Sequence, residues 1–177
     1  MRRTIVLAAI SVCGALAMTG CSSYTWTSGV PDDMRTIAVP TMRNESDVTE
    51  LGSVMTRQVL RELQREGSFK IRRPDDSALE IQGVVKRVSY AASGYDRRGG
   101  LRTMGFDMTA IVEVSLVDKK NGRVLIDNRK YTAGTTFVAS QDRMTAARDA
   151  SGRLADDLAR QVVDDILNCK WKGEKGE

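Results

Sequence analysis

The stretch Phe106-Asp-Met-Thr-Ala-Ile-Val-Glu-Val-Ser-Leu116 decides the fold class of this chain. Apolar residues occupy every even position from 106 to 116, and mostly polar residues fill the odd positions. Successive side chains of a β-strand point to opposite faces, so this pattern predicts a long strand with one buried face. A solvated second face is typical of an antiparallel sheet that other elements cover on one side only.

Turn and strand signals flank this stretch on both sides. Asn121-Gly122 predicts a hairpin turn, which leads into a further strand over residues 123–137. Before the stretch, apolar and polar residues alternate over residues 79–90, and a shift of parity predicts a β-bulge near Gly83. The sequence therefore predicts three long strands in a meander, with residues 90–105 as the connection between the first two.

A shorter strand and an amphipathic helix precede the meander. Thr36-Ile-Ala-Val-Pro40 is rich in β-formers and ends in a proline, which suits the end of a strand. Apolar residues at spacings of three and four then predict a helix over residues 48–66. Asp47 as N-cap and Glu50 three residues later would form a capping box, and Gly67 would end the helix.

A second amphipathic helix completes the predicted domain. Ser140-Gln-Asp142 would cap it, and small or apolar residues form one stripe along it: Met144, Ala147, Ser151, Leu154, Ala155, Leu158, Val162, Ile166 and Cys169. The elements thus predict an α+β fold in the order β-α-β-β-β-α. It would be a two-layer sandwich, with a mainly antiparallel four-stranded sheet and both helices packed on one face.

The amino terminus has the features of a bacterial lipoprotein signal. Arg2 and Arg3 give a positive start, and the apolar residues 5–17 are fewer than the roughly 20 that span a bilayer. Leu16-Ala-Met-Thr-Gly-Cys21 then places small residues just before a cysteine. We expect residues 1–20 to be removed and Cys21 to be lipidated, whereas the alternative is an ordinary secretory signal with a chance cysteine.

The mature chain divides into three parts. Residues 21–34 contain Ser, Thr, Gly and Pro without periodicity, so they are predicted to be a lipidated tether. Residues 35–169 are long enough for a single α+β domain with its own core. Residues 170–177 form a polar tail.

The residue inventory argues against catalysis. The chain has no histidine, which is the commonest general base and metal ligand near neutral pH. Cys13 would leave with the signal and Cys21 would carry lipid, so Cys169 has no partner within the chain and is predicted to be a small core residue. We therefore expect no enzymatic activity, no metal and no cofactor. The net charge of +4 is too small to argue for a nucleic-acid partner.

The order of these features resembles the LptE family of lipopolysaccharide-assembly lipoproteins. The matching stretches are Cys21 with Tyr24, Thr36 to Pro40 with Asn44, Leu60 to Leu63, Leu79 to Gly83, and Val114 to Asp118 before the Asn121-Gly122 turn. The glycine that usually follows the lipidated cysteine is Ser22 here. The resemblance implies an outer-membrane lipoprotein, lipid-anchored on the periplasmic face, that plugs the LptD β-barrel and helps to deliver lipopolysaccharide. It implies no reaction.

The connection between the first two long strands is the candidate binding site. Arg97, Arg98 and Arg102 lie among glycines there, close to Tyr95. Arginine binds phosphates and carboxylates bidentately, so we hypothesise that this tip contacts the anionic groups of lipopolysaccharide or the wall of the barrel. A solvated hairpin loop without a binding role is the interpretation that the sequence alone favours.

A second class of protein shares the early part of the pattern. CsgG-like and TolB-N-like periplasmic lipoproteins also have an Ile-Ala-Val-Pro strand, residues 37–40 here, before a helix. Proteins of that class activate cell-wall synthases or form secretion pores. Co-purification with a large β-barrel would favour the first interpretation, and co-purification with a peptidoglycan synthase the second.

Overall fold

The structure, a computed structural model, describes residues 29–96, 102–138, 143–169 and 171. Its helices and strands in chain order are β1 (Thr36–Ala38), β2 (Arg43–Asn44), α1 (Leu51–Glu66), β3 (Lys70–Ile71), β4 (Leu79–Asp96), β5 (Arg102–Asp118), β6 (Arg123–Val138) and α2 (Arg143–Leu167). Two single-turn 3-10 helices lie at Asp32–Met34 and Pro74–Asp76. The predicted signal peptide and Cys21 lie outside the described residues.

A six-stranded mixed sheet forms one layer of the molecule. Its order is β3-β1-β4-β5-β6, and β2 pairs with β4 further along the edge that β1 occupies. β4, β5 and β6 form the predicted antiparallel meander, whereas β1, β2 and β3 pair in parallel. The α+β class is confirmed, but the four-stranded, mainly antiparallel sheet is wrong. The two-residue strand β2 has no sequence pattern of its own, whereas β3 coincides with Phe69-Lys-Ile71, which the sequence predicts as a short strand-like piece.

The core lies between one face of this sheet and both helices. The even-numbered side chains of β5 from Met108 to Leu116 are buried, as their alternation predicted. They join one cluster with side chains of α1 and α2: Leu51, Met55, Val59, Leu63, Leu154, Leu158, Val162 and Ile166. Both helices therefore cover the same face of the sheet, and no other described helix covers the opposite face.

The parity shift in β4 arises at Lys86. The register with β5 shifts between Val85 and Arg87, which leaves Lys86 as the extra residue of a β-bulge. Gly83 stays in the regular ladder, where a Cβ would lie 2.6 Å from Sδ of Met42. The predicted bulge at Gly83 is thus three residues too early, because this glycine provides space for a buried side chain instead.

α1 begins later than the sequence predicted. Its first residue is Leu51, and Glu50 occupies the N-cap position without a capping side-chain hydrogen bond. The predicted capping box of Asp47 and Glu50 is therefore wrong. Nδ2 of Asn44 instead donates to the carbonyl oxygen of Val48 at 2.7 Å, so Asn44 shapes the turn that leads into the helix.

The other helix ends agree better with the sequence. Gly67 ends α1 with φ of +75°, and its N–H donates to the carbonyl oxygen of Leu63, as expected of a C-terminal glycine. The predicted cap of α2 at residues 140–142 lies outside the described residues. The apolar stripe predicted along α2 includes Met144, but Met144 is 82% exposed, and the first buried residue of α2 is Ala150.

Candidate partner-binding surface

The predicted binding tip is the end of the hairpin that β4 and β5 form. The two strands stay paired from Leu79 opposite Asp118 to Asp96 opposite Arg102. The predicted connection over residues 90–105 is therefore too long. Its small residues suggested a loop, but main-chain pairing continues through them, because a ladder needs no particular side chains.

The four candidate residues lie at or near this tip. Tyr95 belongs to β4, opposite Thr103, and Arg102 is the first residue of β5. Arg97 and Arg98 lie outside the described residues. The backbone thus brings Tyr95 and Arg102 to the same end of the hairpin, and their contacts with a partner stay a prediction.

A cleft of about 720 Å³ opens on the helix side of β4. Apolar side chains from three separate segments line it, namely Val48, Leu51, Val54, Tyr90 and Ala147. At its rim, Glu50 and Arg148 approach to 3.6 Å, but both are well exposed, so this ion pair contributes little stability. No sequence pattern predicts the cleft, because its walls meet only in the folded chain.

Hydrogen bonds hold one wall of this cleft in place. Oδ1 of Asn44 accepts from the backbone N–H of Ser46 at 3.1 Å and from its hydroxyl at 2.7 Å. The N–H of Met42 donates to the hydroxyl of Thr56 at 2.9 Å, which ties the preceding segment to α1. The wall is therefore formed before any partner arrives.

Lys86 and Glu45 form an ion pair where β2 leaves β4. The hydrogen bond with Lys86 lowers the pKa of the Glu45 carboxyl, and the same bond raises the pKa of Lys86. Both groups are therefore charged at neutral pH. The pair marks the point beyond which β2 no longer covers β4.

A polar cluster ties β6 to α2 at the other side of the molecule. The hydroxyl of Tyr131 donates to Asp165 at 2.5 Å, and Arg129 donates to both oxygens of the same carboxylate. Burial, followed by the hydrogen bond with Asp165, raises the pKa of Tyr131 far above its usual range. The phenol therefore stays neutral, and the cluster stabilises packing instead of supplying a base.

Cys169 lies beside this cluster in a second cavity, of about 450 Å³. It is half-buried and packs against the core, and its Sγ lies 3.9 Å from the carbonyl oxygen of Leu125. Among the described residues, no group of three or more His, Cys, Asp or Glu could hold a metal ion. No helix in the described ranges is long and apolar enough to cross a membrane.

Comparison with known proteins gives one family match. The model of the LptE family, described as lipopolysaccharide-assembly, matches residues 34–166. No curated protein matches the sequence significantly. The matched range runs from two residues before β1 almost to the end of α2, so it includes every strand that the structure describes.

Several solved structures share the fold at low sequence identity. A neuraminyllactose-binding hemagglutinin homologue from Helicobacter pylori has a TM-score of 0.52 at 8% identity, covering 77% of this chain and 84% of that chain. A minor lipoprotein from Acinetobacter baumannii has a TM-score of 0.51 at 12% identity, covering 76% and 94%. Protein CT253 from Chlamydia trachomatis has a TM-score of 0.51 at 11% identity, covering 76% and 96%. Such identities show a shared fold alone.

Proposed function

This chain belongs to the LptE lipopolysaccharide-assembly family, and on that premise we propose that it supports an LptD-type β-barrel in the outer membrane during lipopolysaccharide delivery. The family match over residues 34–166 is the observation that carries the proposal. A hairpin of two long paired strands, with a preformed cleft beside it, offers surface for a protein partner. The proposed work is therefore binding, without a chemical reaction.

The anchor in this proposal is lipid on Cys21. Residues 22–28 separate Cys21 from Gly29, the first described residue, and an extended chain over these eight steps spans at most about 29 Å. The domain would therefore stay close to the periplasmic face of the membrane. Intact-mass analysis of the membrane-extracted protein should show acyl chains on Cys21, and Cys21→Ser should move the protein into the soluble periplasmic fraction. An unmodified amino terminus would contradict the anchor.

The partner can be tested by purifying the tagged protein from detergent-solubilised outer membranes. We expect a large β-barrel protein in stoichiometric amount, and depletion of the chain should reduce lipopolysaccharide on the cell surface. A peptidoglycan synthase in place of the barrel would favour the CsgG-like or TolB-N-like alternative and overturn the proposal.

The tip has its own test within this function. Charge reversal of Arg97, Arg98 and Arg102 should weaken association with the barrel or with lipopolysaccharide, because anionic groups would lose their arginine partners. Reversal of Arg57 and Arg61, which are exposed on α1, changes charge at a distant surface and serves as the control. Unchanged association of the tip variant would remove the role of the tip, while the barrel proposal would stand.

A further inference from the structure

The turn between β5 and β6 contains an asparagine that is followed by a glycine. Of the four asparagines in the sequence, only Asn121 precedes a glycine, while the others precede Glu45, Arg129 and Cys169. Asn121 and Gly122 are both exposed, and a Cβ at Gly122 would meet nothing within 4 Å. The backbone nitrogen that follows Asn121 therefore has no side chain beside it that would hinder its approach to another atom.

This arrangement allows a reaction within the turn. None of the hydrogen bonds described for the turns uses the N–H of Gly122, so its nitrogen is available. The nitrogen can attack Cγ of Asn121, lose its proton to a base in the solvent and expel ammonia, which closes a succinimide ring. Water then opens the ring at one of its two carbonyl carbons, and the product is aspartate or isoaspartate. One water is consumed and one ammonia is released, so the reaction needs no oxidant, reductant or cofactor.

The side chain of Asn121 stabilises the turn through Asp118. Its Nδ2 donates to Oδ2 of Asp118 at 2.7 Å, and Oδ1 of the same carboxylate accepts from the N–H of Lys120 at 3.0 Å. Asp118 is only 1% exposed. Burial raises the pKa of this carboxyl, but the hydrogen bonds from Asn121 and Lys120 outweigh burial and keep the pKa below its usual value. The buried charge therefore depends on a donor at position 121.

Deamidation would replace this donor by a second carboxylate. A carboxylate oxygen in the place of Nδ2 would lie at the 2.7 Å that now separates Nδ2 from Oδ2 of Asp118. Two carboxylates that share a site repel each other, so one of them takes up a proton or the pair moves apart. Isoaspartate also inserts Cβ into the main chain, which changes the spacing between Asp118 and Arg123 at the end of the β5–β6 ladder. Either product would therefore weaken the turn.

The turn also holds the first residues of the domain. Nζ of Lys120 donates to the carbonyl oxygen of Asp33 at 3.2 Å, and the N–H of Lys119 donates to that of Ala78 at 2.8 Å. Val30, shortly before Asp33, belongs to the core cluster. A weakened turn would therefore loosen the segment through which the domain continues toward its amino terminus.

We propose that Asn121 is a site of spontaneous deamidation, and that its conversion loosens the turn and the amino-terminal segment packed beside it. In this reaction the Asn121 side chain leaves Asp118 during brief openings of the turn. Such openings involve an exposed turn and leave the sheet intact. The reaction needs no partner and is therefore independent of the proposed function.

Peptide mapping of aged protein tests the site. The purified protein, kept in detergent at mildly alkaline pH, should accumulate aspartate and isoaspartate at position 121, while Asn44, Asn128 and Asn168 stay unchanged. A synthetic peptide of residues 116–126 measures the same reaction without the fold. An intact Asn121 after the peptide has converted completely would overturn the proposal, because the folded turn would then protect the residue.

A matched pair of variants tests the consequence. Asn121→Ala removes the hydrogen bond with Asp118 and adds no charge, whereas Asn121→Asp removes it and adds the second carboxylate. At neutral pH, Asn121→Asp should raise the equilibrium constant of unfolding about 10-fold more than Asn121→Ala does, as expected for a pKa shift of about one unit between like charges. This excess should disappear below about pH 4, where the added carboxyl is protonated in the folded and the unfolded chain. Equal effects of the two variants at neutral pH would overturn the proposal.

Ageing of the unsubstituted protein provides a readout that does not depend on how Asn121→Asp folds. Aged wild-type protein should unfold at a lower urea concentration than fresh protein. Aged Asn121→Ala should keep its midpoint, because it cannot deamidate at this position. An equal loss in both proteins, or conversion of the wild type without any loss, would overturn the proposal.

Discussion

At two helical glycines, one added methyl group should change the free energy of unfolding in opposite directions. A Cβ at Gly52 in α1 would lie 2.6 Å from the backbone oxygen of Met42, whereas a Cβ at Gly152 in α2 would have nothing within 4 Å. Alanine gains about 1 kcal/mol over glycine in a helix, and overpacking costs about 1–3 kcal/mol. We expect Gly52→Ala to lower the free energy of unfolding by about 1–2 kcal/mol and Gly152→Ala to raise it by about 1 kcal/mol. Urea titration measures both, and changes of the same sign would contradict the close approach at Gly52.

The raised pKa of the Tyr131 phenol predicts that the protein loses stability at alkaline pH. Its pKa is raised in the folded protein, so the folded chain keeps a proton that the unfolded chain loses above about pH 10. This contribution is complete below that pH and declines as the pH rises further. Between pH 9 and 11, the unfolding free energy of the wild type should therefore fall more than that of Tyr131→Phe. Parallel curves in denaturant titrations would contradict the buried hydrogen bond with Asp165.

At the scale of elements, the structure differs from the sequence-based prediction in the turn before α1. Asn44→Ala removes donors to the carbonyls of Val48 and Thr49 and an acceptor for Ser46, so we expect a loss of about 1–2 kcal/mol. Asp47→Ala should change stability by less than about 0.5 kcal/mol, because Asp47 lies outside the helix and caps nothing. Thermal and urea unfolding of the pair provides the measurement. A larger loss at Asp47 would restore the predicted capping box.

The elements also show which parts of the fold a sequence can reveal. β5 was predictable because its buried face repeats every second residue over a long run. β2 was not, because two residues carry no period, and the parallel pairing of β2 and β3 depends on the tertiary fold. The bulge in β4 was misplaced, since apolar residues at both Val84 and Val85 fit either parity. The connection between β4 and β5 was predicted from the meander but made too long, and the cleft depends on contacts between distant segments.

At the scale of the whole molecule, the first residues that the structure describes lie at the end of the sheet opposite the β4–β5 hairpin tip. Nζ of Lys120, in the turn between β5 and β6, donates to the carbonyl oxygen of Asp33 at 3.2 Å. β4 starts at this end, and its 18 residues reach up to about 55 Å away from it at the usual rise of a strand. That length exceeds the roughly 30 Å of a bilayer's hydrocarbon core. In the proposed function, a chain anchored at its amino terminus could thus reach far along a barrel with its tip.

The start of the folded domain yields a last prediction. The sequence predicted a tether as far as residue 34, yet Val30 is only 3% exposed and belongs to the core cluster, and Met34 packs against that cluster. A chain that starts at Gly29 should keep the stability of the mature protein. One that starts at Arg35 should lose about 1.5–3 kcal/mol, the usual value of burying a valine side chain, and its Lys120 would lose the carbonyl of Asp33. Urea unfolding of the two truncated chains, with Val30→Ala in the longer one as an intermediate case, measures this difference. Equal stability of both would place the boundary at residue 35, because the core would then gain nothing from Val30.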